Sequence, residues 1–372
     1  MTRDQVEKRI RESEGLIKTY GGCVVKTVIQ RRHHAGSCSY VSLGKLTEIL
    51  DNAVRYNINL IMINAALKPA QIYAIEENIE ANQQQIEIWD RVDLILKIFQ
   101  KHARTAEAKL QVKLARLNHL GPRIYNMSEE LGREGGTSGA AANKGQGETN
   151  TEIMKRHIAV NRKNIKSKIK KLQYSRELNR KRRQKNGLKT VSIIGYTNAG
   201  KSALFRSLSG KKVYVKNNLF ATLDTVTSRL YLPKSGKEVL LTDTIGFIRN
   251  LPPKLIDAFK STLEETVYAD LHLHVIDTFD EKAAGMIRIV KQVLADLKAD
   301  NIPSFFVFNK IDLCDTSIYD LYKNYNGIFI SAKYKTNLDL LKERISDFLY
   351  PGRICDLYKH THPKLTAVPS SS

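Results

Sequence analysis

The sequence is poor in cysteine and has no Cys-x-x-Cys pair; Cys23, Cys38, Cys314 and Cys355 stand far apart. That spacing argues against both a disulfide framework and a thiolate zinc site, and the four read as reduced thiols. Long apolar runs are missing too, since no stretch approaches the roughly 18 residues that a membrane span needs. The opening residues, MTRDQVEKRI, are charged throughout and lack the apolar core and cleavage site of a secretory signal, so a cytoplasmic location is expected. Acidic residues are in deficit: 38 Asp and Glu face 60 Lys and Arg, a formal charge of +22. Such a surplus suggests a polyanionic partner, either nucleic acid or an anionic membrane surface. His33 and His34 lie in the polar stretch RRHHAGS with no spaced partner residue and support no metal assignment.

A hydrophobic fraction of 42% over 372 residues allows two or three globular domains. Residues 1–91 alternate helix-like and strand-like stretches. Val6, Ile10 and Leu16 mark an amphipathic helix, CVVKTVI at 23–29 a short strand, Leu43 to Tyr56 a helix and INLIMIN at 58–64 a buried strand, with Pro69 in the first turn of the next helix. This pattern predicts a small α/β domain with a parallel sheet. From Val92 the period changes: Leu96, Phe99, Ala103, Ala106, Leu110, Leu114 and Leu117 follow every three or four residues until Gly121-Pro122, which predicts one long helix. The glycine-rich segment 131–150 reads as a mobile loop, and a second helix carries the sparse seam Ile158, Ile165, Ile169 and Leu172. Together they form a helical hairpin over 92–186. From Lys155 to Lys189 fifteen basic residues face the lone Glu177, so +14 of the surplus lies in one segment. Asn186-Gly187 breaks the helix, a third domain spans 187–350, and residues 351–372 read as a disordered tail.

The third domain carries the chemistry. Gly195, Tyr196, Thr197, Asn198, Ala199, Gly200, Lys201 and Ser202 match G-x-x-x-x-G-K-[ST] between a predicted strand, KTVSIIG, and a predicted helix. Backbone N–H groups there would close around phosphates, Lys201 would supply charge to the β- and γ-phosphates, and the Ser202 hydroxyl would ligate Mg²⁺. The strand EVLLTD delivers Asp243, Thr244, Ile245 and Gly246 at its carboxyl end; Asp243 would hold Mg²⁺ through water and Gly246 would meet the γ-phosphate. After SFFVF come Asn309, Lys310, Ile311 and Asp312, whose carboxylate can accept the N1 and N2 protons of guanine. After IFI come Ser331, Ala332 and Lys333, where the Ala332 N–H would face guanine O6. The fold class is therefore α/β: an N-terminal α/β domain, a long helical hairpin and a P-loop G domain with a doubly wound, mainly parallel sheet, binding GTP and GDP. His272 and His274 alternate with apolar residues in LHLHVID and read as strand residues.

These motifs and the strings GGCVVKTVIQ, SLGKLTEIL, NAALKPAQ, ARTAEAKLQVKLARL, GQGET, LFATLDTVTSR and DTIGFIRNLPPKLIDAFKSTLEE resemble the HflX family, ribosome-associated GTPases of the Obg–HflX group. The resemblance covers nearly the whole chain. It implies that Thr222 is the switch threonine that completes the Mg²⁺ shell and, with Lys201 and Gly246, serves hydrolysis. It also implies that Phe220, Ala221, Thr222, Leu223 and Asp224 line the nucleotide. As partners it implies the large ribosomal subunit and its rRNA, bound by a monomer that splits stalled ribosomes under stress, with the glycine-rich loop reaching toward the peptidyl transferase region. Asn198 resembles the asparagine with which potassium-activated relatives hold K⁺, and Phe247 stands where Ras-like enzymes carry a water-orienting Gln. An RNA-remodelling factor acting off the ribosome remains the alternative. A GTPase lying on anionic lipid is disfavoured because residues 155–189 offer one aromatic, Tyr174, opposite the charges.

Overall fold

The computed structural model describes residues 3–30, 40–81, 86–119, 150–210, 225–244, 246–247, 264–280, 283–315 and 317–351. The chain forms two compact units, one made chiefly of Met1–Ser175 and one that begins at Arg176. No helix among the described residues is long and apolar enough to cross a membrane.

In the first unit, helices α1 (Arg3–Tyr20), α2 (Leu43–Arg55), α3 (Pro69–Ala81) and α4 (Arg91–His102) accompany a two-stranded parallel sheet of β1 (Leu60–Ile63) and β2 (Glu87–Asp90). Leu46 and Leu50 of α2, Ile63 of β1, Ile72 and Ile75 of α3 and Ile88 of β2 form one buried cluster. Pro69 opens α3, where its fixed φ suits the first turn. Asp90 starts α4 with a capping box. Its Oδ1 accepts the Asp93 N–H at 2.7 Å and Asp93 Oδ2 accepts the Asp90 N–H at 3.1 Å; such a cap is worth about 1 kcal/mol.

Two sequence expectations fail in this unit. The run at 23–29 forms no strand: Val25 and Ile29 are exposed, and apolar residues that face solvent give a strand no buried face to pack. The single helix expected from Val92 onward is broken at 103–105. Thr105 accepts the Ala108 N–H on its hydroxyl at 3.1 Å and so caps a separate helix, α5 (106–119). Helix α6 (Asn150–Lys185) follows, with Ile158, Ile165 and Ile169 buried along a narrow seam. Arg162 donates to the Leu117 carbonyl at 2.9 Å, fastening α6 to α5. Of the glycine-rich loop only its last residue, Asn150, is described, as the start of α6; the tail beyond 351 lies outside the described residues.

The second unit is built on a six-stranded sheet of order β4-β5-β3-β6-β7-β8. The strands are β3 (Thr190–Gly195), β4 (Val226–Leu232), β5 (Lys237–Asp243), β6 (Leu271–Asp277), β7 (Ser304–Asn309) and β8 (Ile328–Ile330). Only β4 runs antiparallel to its neighbour. Helix α7 (Lys201–Ser209) and the C-terminal helix α9 (Leu338–Leu349) share a buried cluster with the sheet through Leu204, Phe205, Leu341 and Ile345 against Val191, Ile193, Leu241 and Leu273. Helix α8 (Ala283–Asp296) packs through Ile287 in a second cluster with Phe308 and Tyr322, whose rings stack at 4.6 Å. His272 and His274 lie on β6 as expected, and both are buried because the strand is covered on both faces. Burial pushes His274 down to about 3 and lowers His272 as well. Because the parallel strands all end on one edge, β3, β5, β6, β7 and β8 deliver their following loops to the same place.

Candidate functional site

The phosphate loop runs from β3 into α7, and its backbone geometry explains two of its glycines. Gly195 has φ 146° and a Cβ there would strike the Val275 carbonyl; Gly200 has φ 94° and a Cβ there would strike the Asn309 amide. Only glycine meets both demands. Asn198 at the tip is exposed and left-handed at φ 65°, a conformation asparagine tolerates.

Lys201 is buried, and its Nζ donates to the Tyr196 carbonyl at 2.7 Å. Burial lowers its pKa to about 8, while the Asp243 carboxylate works in the opposite direction. An anion brought next to Nζ would raise it again and hold the ammonium charged. The Ser202 hydroxyl donates to Asp243 Oδ2 at 2.7 Å, which joins the first turn of α7 to the end of β5. Both are hard oxygen donors of the kind Mg²⁺ prefers. Thr197 Oγ1 is buried and has no hydrogen-bond partner in the described structure, a polar atom facing into the same loop region.

Gly246 lies against Lys201, for a Cβ at this position would be 2.8 Å from Nζ. Phe247 is buried, and its backbone pairs with the phosphate loop: Phe247 N–H donates to Gly195 O at 3.1 Å and accepts at its carbonyl from Thr197 N–H at 2.8 Å. Thr244 donates its hydroxyl to Ile193 O at 2.7 Å, so this side chain serves the sheet. Phe220, Ala221, Thr222, Leu223, Asp224 and Ile245 lie outside the described residues.

At the carboxyl ends of β7 and β8, Asn309 joins three loops. Its Nδ2 donates to Ala199 O at 2.9 Å and its Oδ1 accepts the Ala332 N–H at 3.0 Å. Lys310 is left-handed and leads into a short 3₁₀ turn, Ile311–Leu313, which carries Asp312. The Ser331 hydroxyl donates to Asp312 Oδ1 at 2.6 Å. Lys333 is exposed with its Nζ 4.7 Å from the Tyr334 ring centroid, and a side-chain hydrogen bond to Tyr334 raises its pKa. The structure therefore gathers Lys201, Ser202, Asp243 and Gly246 at one end and Asn309, Asp312, Ser331 and Ala332 at the other, with Asn309 spanning the two. Sequence reasoning passed over Asp277 and Thr278, which hold Lys310 and the Asn309 carbonyl from β6. The polar pair that closes the apolar run of β6 was the available signal.

Three family models match consecutive parts of the chain: "GTP-binding GTPase N-terminal" over 7–100, "GTP-binding GTPase Middle Region" over 102–183 and "50S ribosome-binding GTPase" over 190–310. GTPase HflX of Caldanaerobacter subterraneus is 42% identical over 92% of this chain and 78% of its own length. GTPase HflX of Escherichia coli K12 is 38% identical over 84% of this chain and 72% of its own. Among solved structures, that of SsGBP in complex with GDP matches with a TM-score of 0.53 and 25% identity, covering 91% of this chain and 94% of that one. With the loops after β3, β5, β7 and β8 assembled on one sheet edge, the chain belongs to the HflX family and is a GTP-hydrolysing enzyme.

Proposed function

We propose that this protein binds the large ribosomal subunit through rRNA and, in its GTP form, splits stalled ribosomes. The observation that carries the reading is α6. Ile158, Ile165 and Ile169 make its narrow buried seam, while Lys163, Lys166, Lys168, Lys170 and Lys171 are all exposed along one stretch. A helix that spends so little surface on packing and so much on positive charge suits a phosphate backbone. The name of the family model over 190–310 points to the same partner.

In this reading Ser202, Asp243 and Thr222 would hold Mg²⁺, which would supply charge neutralisation for the phosphates. Lys201 and the loop from Gly195 to Ser202 grip the phosphates, Gly246 senses the γ-phosphate and Asp312 reads guanine. Phe220 to Asp224, Thr244, Ile245, Lys310, Ile311 and Lys333 line the remainder. Asn198 would hold K⁺. The glycine-rich loop at 131–150, between the two helices of the hairpin, is the part that reaches into the ribosome.

The test is sedimentation through sucrose with a non-hydrolysable GTP analogue. Co-migration with large subunits that depends on the analogue is expected. Binding of RNA without subunit preference would transfer the activity off the ribosome, and partition onto anionic liposomes would overturn the reading.

A further inference from the structure

We infer that Asp277 is a positioning residue for guanine nucleotide binding, which it serves by fixing Lys310 from the neighbouring strand. Strands β6 and β7 run parallel with Asp277 opposite Asn309, so β6 ends level with the base-reading loop. The two carboxylate oxygens of Asp277 do separate things. Oδ1 accepts the Phe279 N–H at 3.1 Å and closes the turn after β6. Oδ2 pairs with Lys310 Nζ, in a setting where the lysine side chain is 25% exposed and the aspartate 16%.

The next residue tightens the same loop. Thr278 donates both its N–H, at 3.0 Å, and its hydroxyl, at 2.7 Å, to the Asn309 carbonyl. Cys314 Sγ in turn lies 3.4 Å from Thr278 Oγ1 as a donor. The loop from Asn309 to Cys314 is thus held at three points by two consecutive residues at the end of β6.

The consequence falls on the Lys310 side chain. Its backbone sits at φ 69°, a conformation that a residue with a Cβ keeps only where its surroundings impose it. With the backbone end fixed by the turn and the ammonium end fixed by Asp277, the aliphatic stem between them has lost its rotamer freedom before any ligand arrives. A stem held in this way is a ready apolar wall for a flat base. Without Asp277 the ligand would have to order it, and the cost would appear as weaker binding and faster release. This rests on the reading of Lys310 as part of the guanine site.

The experiment measures dissociation of a fluorescent GDP from the full chain for the wild type, Asp277→Asn, Lys310→Met and the double variant. The amide introduced by Asp277→Asn would still offer an oxygen to the Phe279 N–H but would face the ammonium without a charge. Each single variant should release GDP roughly ten-fold faster, and the double variant no faster than Lys310→Met alone, because both remove one arrangement. A role confined to the turn would make the two effects multiply, and that result, or wild-type release by Asp277→Asn, overturns the inference. If Lys310→Met alone leaves release unchanged, the reading of Lys310 falls and the inference with it. Should Asp277→Asn lower the melting temperature, Asp277→Glu, which keeps the charge, is the control: it should hold GDP release near the wild-type rate, and release as fast as in Asp277→Asn overturns the inference.

Discussion

The Ser331 hydroxyl donates to Asp312 Oδ1 while it accepts the Tyr334 N–H at 3.2 Å. The backbone N–H leaves the hydroxyl one direction for its proton, and that direction is the carboxylate, so Asp312 is aimed from the adjoining loop. Replacing Asp312 with Asn would set an amide donor against the two ring donors of guanine but match the carbonyl of xanthine. GTP affinity should fall by ~100-fold or more and xanthosine triphosphate should compete successfully. Equilibrium binding of the two nucleotides decides, and unchanged GTP affinity would refute the assignment.

Lys163, Lys166, Lys168, Lys170 and Lys171, changed together to Gln, should weaken ribosome binding and flatten its dependence on salt. Every phosphate that is no longer neutralised by a lysine reduces the slope of log K against log salt by about 0.7–0.9. Nucleotide affinity should not change. A slope equal to that of the wild type would reduce the helix to a solvated face.

Phe247 is buried with its backbone paired to the phosphate loop, and a phenyl ring can neither donate nor accept the hydrogen bond that positions water. Intrinsic hydrolysis is therefore expected to be slow and to rise with large subunits. If Asn198 holds a monovalent cation, K⁺ should outperform Na⁺ and Asn198→Ala should abolish the difference. Single-turnover assays in each salt, with and without subunits, are the check. Fast turnover of the free protein in Na⁺ would overturn partner activation.

A half-buried histidine, His119, and a buried one, His274, should respond to pH with opposite sign. For His119, burial disfavours the charge, but hydrogen bonds to Asp90 and Asp93 prevail and hold its pKa above the usual value. Its stabilisation is complete below an unfolded pKa of about 6.5 and is lost as pH rises through the folded value. His274 is the reverse: burial depresses it to about 3, so its contribution is present above the unfolded value and fades as pH falls toward that figure. His119→Gln should therefore cost more melting temperature near pH ~6 than near ~9. His274→Gln should flatten the acid limb of the melting curve. Parallel pH profiles for wild type and both variants would contradict the two assignments.

The central strands of the sheet were readable because parallel strands buried on both faces appear as unbroken apolar runs, as in SFFVF and EVLLTD. Strand β4 escaped notice since it alternates: Leu230 and Leu232 are buried while Arg229 and Tyr231 are exposed, on a sheet edge with no motif attached. The four residues of β2 are too few to show any period. The break after His102 was hidden because Ala103 and Ala106 keep the apolar rhythm across it, and only the Thr105 cap reveals it. In the site, the motifs drew attention to loops that the fold brings to one edge of the sheet. The braces among them, Asn309 to Ala199 and Asp277 to Lys310, join residues distant in sequence and have no local pattern.

The span made by Asn309 bears on how the ligand is perceived. One amide is bonded at the same time to the carbonyl of the phosphate loop and to the N–H of the loop beyond β8, so ordering either loop orders the other. Fragments of the nucleotide, such as guanosine and pyrophosphate offered as separate molecules, would each bear the whole cost of that joint ordering when they bind alone. Each should therefore bind more tightly once the other is in place. The intact nucleotide meets the cost once.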